Sequence, residues 1–378
     1  FSSGNSEVKK MNNISNQLMI DIMSGDGPDV ILDGAAIQEL NNPEYFVDLN
    51  KFINGANGID KSKYFSKIID SAASSDGALY QMPVSYSIGG ILAYKSDVED
   101  GRVGFTYDEY IKFVDLVCNG NNPIQFNQSV FLADCIARGY VDYMADGKVN
   151  FNTPEFKAIA EYAKDNIYDK FESEDEEDYY MLVDYKDPIA DGPIDVMFTD
   201  SESFVYQVCG IHEPFGMYGY PGVTGNDGPT AYIDSSVAIS ATADEEAQNA
   251  AWDFIKIMLS EDVQKKEQTG NPVNIAAYTY NAQSAVNLMN AQYDSYLKVG
   301  MDEDELAMDG IYRTDEEIVD YLVEIANSVT SVNSIDSSVK VIIYEEMAPY
   351  FVGQKDIDSV LVIINDRAQT VFNERKSK

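Results

Sequence analysis

The sequence has little of the chemistry on which most enzymes are built. A single histidine, His212, serves all 378 residues, which removes every zinc site needing two imidazoles and leaves one conceivable Ser-His or Cys-His pairing. Cys118, Cys135 and Cys209 are too few and too scattered for a disulfide framework, and no CxxC spacing occurs. They are expected to be small buried hydrophobes. Bases are outnumbered by acids, 26 to 64, for a formal net charge of −38, a field that repels phosphate backbones and anionic lipid surfaces alike. Nucleic acid is therefore a poor partner, and the acidity reads as a solvated, self-repelling surface. No apolar run is long enough to cross a bilayer. The chain opens at Phe1 without a basic and apolar leader, so any targeting segment is expected to have been removed or to lie outside the given sequence.

Catalytic and cofactor motifs are also missing. There is no GxxxxGK[ST] loop, and Gly25-Asp26-Gly27 lacks the third glycine and the preceding strand of a dinucleotide fingerprint. Neither GxSxG nor HExxH occurs. Ser6-Glu7-Val8-Lys9 and Ser337-Ser338-Val339-Lys340 match SxxK without the companion motifs of acylating enzymes. The run Glu172-Ser173-Glu174-Asp175-Glu176-Glu177-Asp178 is expected to be a solvated loop, and without DxDxDG spacing it is not read as a calcium site. No cofactor and no metal are expected. Two carboxylates would suffice for glycoside hydrolysis, but among 64 acids some pair fits any spacing. A glycoside hydrolase, or a surface protein without a ligand, stands as the alternative to a binding protein.

What is present is an ordinary globular composition, 45% apolar and 24% charged, at a length where one core stops growing and two lobes are expected. Val8, Met11, Ile14, Leu18 and Ile22 form a helical stripe that stops at Ser24-Gly25-Asp26-Gly27-Pro28, ahead of a short strand Val30-Ile31-Leu32. Asp76 to Pro83 reads as a turn plus extended chain, and Ile88 to Tyr94 as a buried strand. Three helices are signalled later. Thr153-Pro154-Glu155 starts one, Thr242-Ala243-Asp244-Glu245 reads as the capping box of another with Ala247, Ala251, Phe254, Ile255 and Met258 as its stripe, and Asp356 opens the last. Trp252, beside Ile255 and Leu259, reads as core. Alternating helix and strand predict an α/β fold. The 26 tyrosines supply many flat faces with a polar tip, suited to lying against sugar rings.

Several separated segments resemble the extracellular solute-binding proteins of family 1, the carbohydrate-binding components of ABC importers, which include the maltose-binding proteins. They are Ser24 to Val30, Leu79-Tyr80-Gln81-Met82-Pro83 through Ala93 to Asp97, Gly147 to Phe156, and Gly219-Tyr220-Pro221-Gly222. Ala251 to Lys256, Asn271-Pro272-Val273-Asn274 and Glu345 to Lys355 complete the series, the last two in forms common among Gram-positive members. Their order spans nearly the whole chain. The resemblance implies an α/β, two-lobed, periplasmic-binding-protein-like fold of type II, with crossing segments as hinge and a ligand cleft between the lobes. Lobe one would comprise residues 1–95 and 237–330, lobe two 96–236 and 331–378. Members normally open with a strand, a helix and another strand before the helix seen here at Val8 to Met23, so the first lobe is expected to lack a central strand.

The resemblance further implies a non-catalytic, cell-surface, lipid-anchored monomer that captures a sugar, an oligosaccharide above all, by closing on it, and delivers it to membrane permease subunits. Carried over by position, the ligand residues would be Asp33, accepting hydroxyls; Tyr86 and Ser87 at the cleft edge, one a platform and one a hydrogen-bonder; and Asn127, Asp200, Ser201 and Tyr220 from the second lobe. None of these is basic. Acids and amides without a paired base suit a neutral polyol, because each buried acceptor needs a donor and a sugar supplies hydroxyls in quantity.

Overall fold

The fold was read from a computed structural model. It describes residues 17–32, 40–74, 77–124, 127–138, 143–145, 148–167, 187–222, 224–266, 270–308, 311–333 and 337–376. The acidic run at 172–178 and Asp33 lie outside them, as does the first half of the opening helical stripe. In chain order the strands used below are β1 (Val30–Leu32), β2 (Gln81–Tyr94), β3 (Ile194–Phe198), β4 (Phe215–Tyr218), β5 (Thr230–Ile239) and β6 (Asn271–Pro272). The helices are α1 (Ser66–Ser71), α2 (Gln128–Arg138), α3 (Pro154–Asn166), α4 (Ser201–Val208), α5 (Glu245–Met258), α6 (Ile275–Lys298), α7 (Glu317–Ser328), α8 (Ser337–Phe351) and α9 (Ile357–Lys376). Among the described residues no helix is long and apolar enough to cross a membrane.

The chain forms two compact units. The first takes Phe1–Ser87, Thr199–Ser201 and Tyr232–Asn281, the second Ile88–Phe198, Glu202–Ala231 and Ala282–Lys378. Strands β2 and β5 each run from one unit into the other. This division departs from the expected lobes at 88–95 and 282–330, which group with the second unit, and at 199–201 and 232–236, which group with the first. Packing gives the reason for 282–330: Tyr321 on α7 sets its ring 5.0 Å from that of Phe215 on β4, and Glu324 pairs with Lys95 at 2.7 Å.

In the first unit β1 pairs antiparallel with Val237–Ile239 of β5, β5 neighbours β2, and β6 pairs antiparallel with Ser85 and Tyr86 of β2. β2 starts seven residues before the expected Ile88, and every position but Tyr94 is buried. A strand covered on both faces loses the alternation that marks a half-buried one, and Pro83 argues locally against a central strand. Trp252 on α5 is core as expected, 1% exposed, stacked on Phe52 at 5.3 Å, with its Nε1 donating to the Asn57 carbonyl at 2.9 Å. The cap of α5 is a correction. Asp244, in extended conformation, accepts from the Ala247 N–H at 2.9 Å, whereas Thr242 bonds with the Ser240 hydroxyl. Phe254, expected on the stripe, is 37% exposed, because the buried face centres on Ala251, Trp252 and Ile255.

The second unit's core joins Ile91 and Ala93 of β2 to the inner faces of α2, α3, α8 and α9. Helix α3 begins as expected, with Thr153 accepting from the Phe156 N–H and Pro154 in its first turn. Asp356 caps α9 by accepting from the Ser359 N–H at 2.9 Å, and Val360, Leu361, Ile364 and Ala368 on its inner face are fully buried. Cys118, Cys135 and Cys209 are buried free thiols, as expected, and burial pushes the Cys118 thiol up to about 12.

Candidate functional site

Strand geometry sorts β2 into two faces, because successive side chains point to opposite sides. Met82, Val84 and Tyr86 fall on one. There Tyr86 meets Phe65 edge-on at 6.1 Å, and Phe65 in turn meets Tyr278 of α6 at 5.2 Å. Gln81, Ser85 and Ser87 fall on the other, with Asp234 and Ser236 of β5 beside them.

That second face is polar and largely ordered by its own bonds. Ser236 Oγ donates to Gln81 Oε1 at 3.0 Å, and Gln81 Nε2 donates to Asn41 Oδ1 at 2.7 Å. Ser87 Oγ donates to Asp234 Oδ2 at 2.7 Å. Ser85 Oγ is buried and bonds to nothing among the described residues. Gly270, immediately before β6, lies against this group at a positive φ of 86°. A Cβ there would stand 2.5 Å from Asp234 Oδ2 and 3.0 Å from Ser85 Oγ. Only glycine permits both the backbone conformation and the approach.

Asp234 is exposed as a residue, yet its carboxyl sits in partly dehydrated surroundings. Burial raises it above the usual carboxylate range, and the Ser87 hydroxyl opposes that only in part. No lysine, arginine or histidine among the described residues pairs with it. A carboxyl raised on folding binds its proton more readily in the native state, so its stability contribution is present at low pH and lost as pH rises through the folded value. Asp234→Asn is therefore expected to melt slightly higher than the parent at pH 7 when unliganded, with the difference closing by pH 4. A variant that melts lower at pH 7 would contradict this.

The expected ligand residues are dispersed. Ser87 joins the polar face. Tyr86 does not lie at an edge as a platform: its ring is fully buried, its hydroxyl bonds to nothing among the described residues, and burial raises that hydroxyl well above its ordinary value. Strand parity, one residue from Ser87, put it on the core side. Asn127 caps α2, its Oδ1 accepting from the Val130 N–H at 2.9 Å. Tyr220, 5% exposed, donates its hydroxyl to Asp195. Asp200 accepts from the Thr199 hydroxyl at 3.2 Å, Ser201 is buried at the start of α4, and both group with the first unit rather than the second. Sequence reasoning missed Gln81, Ser85, Asp234 and Ser236. Among the described residues no group of three His, Cys, Asp or Glu side chains is placed to hold a metal ion.

Donors and acceptors without a nucleophile and base in register suit recognition by hydrogen bonds. An oligogalacturonide-binding protein from Yersinia enterocolitica superposes with a TM-score of 0.56 at 14% identity, over 95% of this chain and 88% of its own. The sugar-binding protein MalE of Xanthomonas citri superposes with a TM-score of 0.56 at 14% identity, over 97% and 89%. A de novo designed cysteine esterase is as similar, at a TM-score of 0.57 and 14% identity over 95% and 88%. These likenesses establish the two-lobed solute-binding fold. No curated protein sequence matches the chain. The family model for bacterial extracellular solute-binding proteins matches residues 6–270, and the chain belongs to that family.

Proposed function

We propose that this protein is the extracellular substrate-binding component of an ABC importer, capturing a neutral sugar, an oligosaccharide above all, and releasing it unchanged to membrane permease subunits. The family match over residues 6–270 carries this reading. The sugar-binding titles of its structural neighbours support the ligand class, and so does a polar face that offers hydroxyls, amides and a carboxylate without a cation. The contact residues assigned here are Ser87 and Asp234, with Gln81 and Ser236 holding the face in shape. The protein acts as a monomer without turnover, tethered by a lipid to the outer surface of a Gram-positive cell.

A thermal-shift panel of mono- and oligosaccharides tests the proposal. A ligand at a hundred times its Kd stabilises the native state by about 2.7 kcal/mol, so the right sugar raises Tm by several degrees. A flat response from folded protein across the whole panel would remove the carbohydrate assignment.

A further inference from the structure

Tyr232 stands on β5 two residues before Asp234, and strand alternation puts it on one side with Asp234 and Ser236. All three belong to the first unit, together with Ser87 and Gln81. Along that side the strand opens toward solvent: Ser236 is buried and tied to Gln81, Asp234 is exposed, and Tyr232 is half-buried. Asp234 takes the Ser87 hydroxyl on Oδ2, while its Oδ1 receives no hydrogen bond from the described residues.

The Tyr232 side chain has no such partner. Among the described residues the other tyrosines short of full burial are held by a hydrogen bond, a second ring or a cation, as Tyr94 is by Asp187, Tyr321 by Phe215 and Tyr280 by Lys265. Tyr206 and Tyr232 are the two without one. Tyr206 lies on α4 in the second unit, whereas Tyr232 adjoins a carboxylate with an acceptor oxygen to spare. We infer that Tyr232 is the aromatic platform of the proposed saccharide site, carrying the C–H face of a pyranose ring while a hydroxyl of that sugar donates to Asp234 Oδ1. Alternate residues of a strand lie about 6.6 Å apart, a span that one pyranose and its hydroxyls bridge. The ring supplies a flat apolar face and the carboxylate an acceptor, the mixed lining that fixes a ligand's orientation. This rests on the proposed saccharide function and adds to it the residue that reads the sugar's apolar face.

Calorimetry on the whole chain at pH 7 tests it, using whichever of malto-, cello- and xylo-oligosaccharide the parent binds most tightly. Tyr232→Phe, which keeps the ring, is expected to bind within threefold of the parent. Tyr232→Ala is expected to bind at least tenfold more weakly, with its unliganded Tm within about two degrees of the parent's because the ring holds nothing else in place. Full affinity in Tyr232→Ala, or an equal loss in both variants, would overturn the platform and leave the proposed function standing. A second measurement needs no variant: the saturating saccharide is expected to protect Tyr232 of the parent several-fold from nitration by tetranitromethane, mapped by peptide mass spectrometry, with Tyr280, 53% exposed on α6, as the unprotected control. Nitration of Tyr232 unchanged by bound saccharide would likewise overturn the inference. Failure of every saccharide to bind the folded parent would overturn the function, and the inference with it.

Discussion

Trp252→Ala is expected to lower the unfolding free energy by about 3–5 kcal/mol, the usual cost of emptying a buried aromatic site. The ring is 1% exposed and stacked on Phe52, and its Nε1 satisfies the Asn57 carbonyl, so truncation leaves a cavity and an unpaired carbonyl together. Phe52 and Asn57 follow the Asp48–Asn50 turn, where Asp48 also receives the Leu79 N–H just before β2. Loss of the indole therefore loosens the segment that leads into the strand carrying Ser85 and Ser87. Urea unfolding followed by far-UV circular dichroism measures the effect. A loss under 1 kcal/mol would mean the ring is not core.

Gly219→Ala is expected to cost about 3 kcal/mol or more, beyond the common range for surface substitutions. A Cβ at this position would stand 1.8 Å from the Asp227 carbonyl oxygen and 2.5 Å from that of Gly228, both backbone atoms that cannot rotate aside. A Cβ at Gly104 would likewise stand 2.0 Å from the same Asp227 carbonyl oxygen, and the Gly219 N–H donates to the Val103 carbonyl at 2.8 Å. The motif Gly219-Tyr220-Pro221-Gly222 thus marks a close backbone crossing in the second unit. Its tyrosine is bound to Asp195 rather than presented to solvent. A variant that unfolds at the parent's urea midpoint would show that the loop yields without cost.

These two positions also show where the sequence was legible. Trp252 could be placed because its helix carries its own signals: apolar spacing of 3.6 and acids in the first turn. Thr153-Pro154 and Asp356 are readable for the same reason, since a capping side chain and the N–H that donates to it lie three residues apart. The start of β2 was hidden because Pro83 and the serines around it mimic a loop, and a doubly covered strand shows no period of two. Tyr86 shows how fine the margin is: one residue of parity separates a ligand platform from a core ring.

Asp234 had no local mark at all. Its place beside Ser87, 147 residues earlier, and Gly270 is one that a sequence alone does not bring together. The family resemblance supplied the fold and the order of segments, but its positional transfer of ligand residues kept only Ser87 on the polar face. Asn127 and Tyr220 have structural partners that account for them, and the boundary near residue 330 gave way to the packing of α7 on β4.

The proposed function requires the protein to bind a neutral saccharide without transforming it. Isothermal titration of the whole chain with the saccharide that most raises its Tm, followed by chromatography of the recovered ligand, measures both halves at once. The account predicts saturable heat at one ligand per chain and recovery of the saccharide intact. Cleaved product, or no heat from any neutral saccharide, would contradict it.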